Sequence, residues 1–173
     1  MTTYKRFEDT PVWQAGIDLA VAVFALTEDK AFRFKGDIAN QIQRAALSVP
    51  NNIAEGFERG TTQELITFLY YARGSAGEVR SILCVCERMP AFAHLKSEIS
   101  NLKSTAESIS RQLRAWADSL QNSDITGQRH LTDGARVAYK QRQRSSEFVA
   151  ALKKTNEENL KRILAERARQ SEI

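Results

Sequence analysis

Three prolines and eight glycines are all that punctuate 173 residues. That scarcity excludes a fold of many short strands joined by tight turns and points to long, uninterrupted elements. Cysteine is equally sparse. Cys84 and Cys86 stand two apart inside a helical pattern, so their side chains diverge and cannot bridge each other. They read as reduced, core-type thiols, and no matching Cys or His pair exists to complete a metal site. The two histidines, His94 and His130, are isolated, and nothing nearby in the chain would orient either as a general base. Also missing are a glycine-rich phosphate loop ending in Lys-Ser/Thr, a zinc-binding pair of histidines on one helix, and a nucleophile elbow. The expectation is therefore a protein that is not an enzyme and needs no cofactor or metal.

Long apolar runs are absent too. The most apolar stretch, Ala15 to Leu26, contains Asp18 and falls short of the roughly 20 residues needed to span a bilayer. The first ten residues are polar and mixed in charge, with no leader-like apolar region after them. A cytoplasmic protein without membrane contact is expected.

What is present is an ordinary globular composition, 42% apolar and 27% charged. The length suits one domain of about 120 to 150 residues plus an appendage. The net charge of +4 is unevenly placed. Residues 1–127 carry 14 Lys and Arg against 15 Asp and Glu, whereas residues 128–173 carry 11 against 6. The whole positive excess sits in the last quarter, which suits a tail that meets an acidic partner, nucleic acid above all; a solvated helix of scattered charge is the plain alternative.

Four stripes of helical period follow one another. The first helix should start near Pro11, since proline is well tolerated at the first helical position, and should bury Val12, Ala15, Gly16, Leu19, Val23 and Leu26. A second should begin near Gly36 and carry Ile38, Ile42, Ala45, Ala46 and Val49, continuing past a kink at Pro50 through Ile53, Ala54 and Phe57. Thr61 and Glu64 have capping-box spacing and mark a third helix, whose inner side is Leu65, Phe68, Leu69, Ala72, Ala76, Val79, Ile82, Leu83 and Cys86. That helix should stop at Met89-Pro90. In the fourth, Phe92, Leu95, Ile99, Leu102, Ala106, Ile109, Leu113, Trp116 and Leu120 alternate three and four residues apart, a continuous bundle seam. Short connections favour antiparallel neighbours. Trp13, Phe57, Tyr70 and Tyr71 look too many for one small core, so some should face another subunit.

Two segments set small residues beside charged or amide ones. One runs from Arg44 through Pro50, Asn52, Glu55 and Gly56 to Arg59; the other holds Arg73, Gly74, Ser75 and Glu78. Small residues let helix backbones approach closely, and the flanking polar groups could pair across that approach, with Glu55 and Arg59 one turn apart in their own helix. A register-fixing polar network is the preferred reading. A recognition surface of Arg44, Arg59 and Arg73 is the second. An acid/base pair of Glu55 and Glu78 is the third, lacking a nucleophile or cofactor site beside it.

These segments, with the run Phe7-Glu8-Asp9 through Val12-Trp13, resemble the bacterial four helix bundle protein family, whose members were first noticed as products of intervening sequences in 23S ribosomal RNA genes. The resemblance covers about residues 5–121. It implies an up-down-up-down bundle that assembles as a homopentamer. A more distantly similar bundle is the accessory protein of diversity-generating retroelements, which supports a reverse transcriptase and binds nucleic acid. Thr10 stands where the family usually has an apolar residue, and typical members lack the segment after residue 121.

The expected architecture is thus all-α: an antiparallel four-helix bundle over residues 1–121, a linker over 122–134 with two glycines, and a basic extension over 135–173 that is helical or partly disordered. The expected function is non-catalytic and nucleic-acid-associated, with RNA favoured over DNA. The extension would supply the contacts through Arg136, Lys140, Arg142, Arg144, Lys153, Lys154, Lys161 and Arg162. The alternative is an adaptor or accessory subunit that docks the extension on a protein partner.

Overall fold

The computed structural model describes residues 4–33, 37–123, 137, 141–142 and 144–155. All regular elements among them are helical. The long helices are α1 (Pro11–Thr27), α2 (Ile38–Glu58), α3 (Thr62–Arg88) and α4 (Lys96–Gln121), with 3-10 turns at Phe7–Asp9, Lys30–Phe32 and Pro90–Leu95. Gly36, where α2 was expected to begin, lies outside the described residues. Two units make up the chain, Met1–Arg129 and His130–Ile173.

In the first unit α1 packs on α2 and α4, α2 on α3, and α3 on α4. The early residue Gly16 of α1 meets the late residues Val49 and Pro50 of α2, and Gly56 late in α2 meets Leu65 and Phe68 early in α3. Successive helices therefore run antiparallel, and each bundle neighbour is a chain neighbour except the closing pair α1 and α4. Val23, Ile42, Val49, Ile53, Leu69, Val79, Leu83, Ile99 and Ile109 are wholly excluded from solvent at the centre.

Local chemistry explains the boundaries. Pro11 opens α1, where its missing N–H would have had no helical partner in any case. Thr10 just before it is buried, and its Oγ1 donates to the Phe7 carbonyl at 2.7 Å. That bond satisfies a hydroxyl that is excluded from solvent at the foot of α1. Thr61 caps α3: its hydroxyl accepts from the Glu64 N–H at 3.2 Å and donates to the Glu64 carboxylate at 2.7 Å. Gly60, at φ 81°, supplies the left-handed turn between α2 and α3 that a side chain would resist.

The helix α2 runs through Pro50 as one element, with the ring buried against Gly16. A Cβ on Gly16 would lie 3.3 Å from Val49 Cγ1 and 3.5 Å from Pro50 Cδ, so this glycine lets α1 close on the proline face of α2.

Three expectations need correction. The seam residues Phe92 and Leu95 stand in a 3-10 turn, and α4 proper begins only at Lys96. At the other end of α4, Ala117 is fully buried while Trp116 is half-buried and meets the Tyr4 ring edge-on at 6.5 Å. A straight helix of 3.6 residues per turn drifts against a 3.5-residue seam, and by the last turn the drift has passed the buried place on by one residue. Phe68 is half-buried, lying across Gly56 at the edge of the α2–α3 contact.

In the second unit, residues 144–155 are helical, as are 137, 141 and 142, and all of these are exposed.

Candidate functional site

The first motif divides its residues between packing and surface. Pro50 and Gly56 are buried; a Cβ on Gly56 would come within 2.5 Å of the Phe68 Cβ. Glu55 and Arg59 face solvent and bind each other at 2.6 Å within their own helix. Arg59 also reaches Glu64 at 3.8 Å, and its guanidinium lies 5.2 Å from the centre of the Phe68 ring. The hydrogen bond to Glu55 holds the Arg59 guanidinium above its usual value.

The second motif lies on the outer side of α3. Ser75 donates its hydroxyl to the Tyr71 carbonyl at 3.1 Å, and a Cβ on Gly74 would meet nothing within 4 Å. Arg44 and Glu78 are exposed, while Asn52 and Arg73 are half-buried; none of the four side chains makes a hydrogen bond or ion pair among the described residues. The expected cross-helix network of Asn52, Arg73 and Glu78 is therefore not formed. Arg44 stands between the buried Ile42 and Ala45, and Glu55 between Ile53 and Gly56, which turns each outward. Glu55 and Glu78 are separately exposed surface carboxylates, with no nucleophile between them.

Arg44 borders a groove between the end of α1 and the start of α2, lined also by Phe24, Asn40, Gln43 and Leu47. Phe24 and Leu47 are exposed there, and Val21 lies one turn before Phe24. On α3 the exposed large apolar side chains are Tyr70, Tyr71 and Val85. Helical phase is the signal for Phe24 and Leu47 in the sequence, since each stands one or two residues away from its helix's buried stripe.

Elsewhere on the bundle, four cations of α3 and α4 are matched locally. Lys103 meets Glu87 at 2.6 Å, Arg111 meets Glu107 at 2.8 Å, Arg80 reaches Glu107 at 3.9 Å, and Arg114 reaches Asp118 at 3.6 Å. The Glu87 hydrogen bond raises the Lys103 ammonium, and the same bond lowers the Glu87 carboxyl. Burial pushes the Cys86 thiol up, so it is held protonated in the core. Among the described residues no group of three His, Cys, Asp or Glu is placed to hold a metal ion, and no helix is long and apolar enough to cross a membrane.

In the second unit, Arg142, Arg144, Lys153 and Lys154 are all helical and exposed. None of the four makes an ion pair among the described residues. Arg142 and Lys153, eleven residues apart, share one face, whereas Arg144 and Lys154 point elsewhere. The other candidate cations, Arg136, Lys140, Lys161 and Arg162, lie outside the described residues.

A family model described as 23S rRNA-intervening sequence protein matches residues 8–115, from the first 3-10 turn into the last part of α4. The chain belongs to this family. The match takes in both motifs and all four bundle helices, and it stops short of the basic extension. No curated protein matches the chain.

Proposed function

We propose that this member of the intervening-sequence family is a non-catalytic, self-associating bundle of the bacterial cytoplasm that binds RNA through its C-terminal extension. The carrying observation is the segregation of charge. Arg6, Arg59, Arg80, Arg111 and Arg114 of the bundle are spent on neighbouring carboxylates, while the described cations of the extension are exposed and make no ion pair among the described residues. Phosphates are the acceptors such cations suit, and contacts of this kind give affinity with little base preference. Replacing Arg142, Arg144, Lys153 and Lys154 together by Gln tests this. RNA affinity should fall sharply while the helical circular-dichroism signal and bundle stability stay as they were; undiminished affinity contradicts the reading.

Self-association rests on two different faces of the bundle. One carries Val21, Phe24 and Leu47 beside the unpaired Arg44; the other carries Tyr70, Tyr71 and Val85 beside Gly74 and the unpaired Glu78. Two unlike but complementary faces on one molecule meet head to tail, and such contacts close into rings when the rotation allows. The family resemblance makes five the favoured number. Several extensions on one ring would act together on a single strand through effective concentration.

A second reading, an adaptor that docks its extension on a protein such as a reverse transcriptase, draws on the exposed apolar residues Val137, Phe148, Val149 and Leu152. Its signature is an extension that binds no RNA.

A further inference from the structure

Asp37, Arg44, Glu78 and Arg88 are exposed, and none of them makes an ion pair among the described residues. Asp37 and Arg44 line the groove between α1 and α2, about two turns apart on one face. Glu78 and Arg88 stand on the outer side of α3. Glu87, next to Arg88 in the chain, is already taken by Lys103 at 2.6 Å, which leaves Arg88 without a carboxylate.

The register of the bundle fixes the height of each residue along its axis. Gly56 of α2 meets Phe68 of α3, and Arg59 just beyond reaches Glu64, so the two helices count in opposite senses from that level. Nine residues back from Gly56 stands Leu47, and nine on from Phe68 stands Gly77. Twelve back is Arg44, and twelve on falls two residues, about 3 Å, past Glu78. Nineteen back is Asp37, and nineteen on falls next to Arg88. At these three levels the groove reads apolar, positive, negative. The outer side of α3 reads open space, negative, positive at the same three. A Cβ on Gly77 would meet nothing within 4 Å, which leaves room for the exposed Leu47 side chain.

Matched heights matter for one kind of occupant, a second copy of the chain. Rotation about an axis parallel to the helices leaves every residue of each copy at its own height. Copies related in that way close into a ring only if the two contacting patches lie level; a mismatch adds a rise at every step and makes an open filament. Under the same rotation, α3 of the next copy runs antiparallel to α2 and parallel to α1, as it does in its own bundle.

We infer that the α1–α2 groove takes α3 of a second copy in level register, with Asp37 on Arg88, Arg44 on Glu78 and Leu47 over Gly77. This rests on the self-association reading above and adds to it the register, the closure that follows from it, and the Asp37–Arg88 pair. Two charge pairs of opposite order fix both the height and the sense of the incoming helix, because reversing or sliding it sets like charges together.

The test uses the full chain in light scattering over a range of concentration. The unaltered chain should reach one assembled mass and hold it as concentration rises further. Asp37→Arg and Arg88→Asp should each raise the concentration for half-assembly by roughly 10-fold or more, since each sets like charges face to face. Both exchanges in one chain should restore it. The two single variants change net charge in opposite directions, so a loss common to both is not an effect of net charge. Circular dichroism checks the fold. Should a reversal unfold the bundle, Asp37→Asn and Arg88→Gln take its place, each with a smaller loss and the double variant losing no more than either single. If the unaltered chain assembles and variants at Asp37 and Arg88 leave its mass unmoved, the inference falls while self-association stands. Losses that add in the double exchange instead of cancelling would reduce both residues to helix-end charges, at the start of α2 and the end of α3, and overturn it. A mass that grows without limit means an open filament and overturns it as well. If the unaltered chain stays monomeric, both readings fail together.

Discussion

Gly56 and Phe68 meet so closely that a methyl group on the glycine would stand 2.5 Å from the Phe68 Cβ, with a backbone atom, the Leu65 Cα, 3.4 Å away on the same side. The contact joins the late part of α2 to the early part of α3, and a Cβ–Cβ overlap cannot be relieved by turning the ring. Gly56→Ala should therefore destabilise the bundle by about 1–3 kcal/mol through overpacking, despite alanine's helix propensity. Urea denaturation followed by circular dichroism would show it as a lowered midpoint.

Thr62, in the first turn of α3, is the described residue whose buried side-chain oxygen has no hydrogen-bond partner. An unmet buried hydroxyl carries a desolvation penalty of about 1–3 kcal/mol. Thr62→Val keeps the shape and removes the hydroxyl, so stability should hold or rise by about 1 kcal/mol. A drop in the same denaturation assay would mean that this hydroxyl is satisfied in solution.

Asp29 links the two short turns at one end of the bundle. Its carboxylate accepts from the Ala31 N–H at 2.7 Å and meets His94 Nε2 at 3.1 Å, 65 residues away in the chain. These contacts, the Ala31 bond foremost, lower its carboxyl below the usual 3.8. A carboxyl lowered in the folded state adds stability that is fully present above its unfolded value and is lost as pH falls through the folded one. Unfolding free energy should thus decline on the acid side as pH drops through and below 3.8, and Asp29→Asn should make that decline shallower. Denaturation series across acid pH for both chains would measure the difference.

Much of this fold is legible in the chain, for local reasons. Pro11, the Thr61–Glu64 cap and Met89-Pro90 act within a few residues of the ends they define, and the buried stripes of α1 to α4 follow from helical period alone. Other features depend on contacts that no short window contains. The Asp29–His94 pair joins two separate turns. Phe92 and Leu95 keep their spacing whether the backbone is α or 3-10, so periodicity could not tell the two apart. The glycines show the same limit: Gly56 and Gly74 both stand beside charged residues within helices, yet one is pressed against Phe68 and the other faces open space. The outward aim of Arg44 and Glu55 was readable in the helical phase. The loss of any cross-helix network at Arg73 and Glu78 was not, because it turns on where α2 and α4 pass.

The proposed head-to-tail contact places Arg44 of one copy near Glu78 of the next. Arg44→Glu and Glu78→Arg should each reduce the assembled mass in light scattering, and the double exchange should restore it. Gly74→Ala separates fold from assembly. It should strengthen the helix by about 0.5–1 kcal/mol, since the methyl meets nothing within the bundle, while crowding the contact between copies. A mass unmoved by any of these variants would take the contact away from these faces.

Whether the extension is the part that meets RNA is measured most directly by the salt dependence of affinity. Oligouridylate binding should be titrated across a range of salt for the full chain and for a chain ended after Gln121, with circular dichroism confirming that the shorter bundle is folded. For the full chain, log affinity should fall linearly and steeply with log salt, by a slope of about −0.7 for each phosphate met on a single strand. The shortened chain should stay folded and bind no RNA. A shortened chain that binds as tightly, with the same slope, would contradict RNA binding by the extension and move the contacts to Arg44, Arg59 and Arg73.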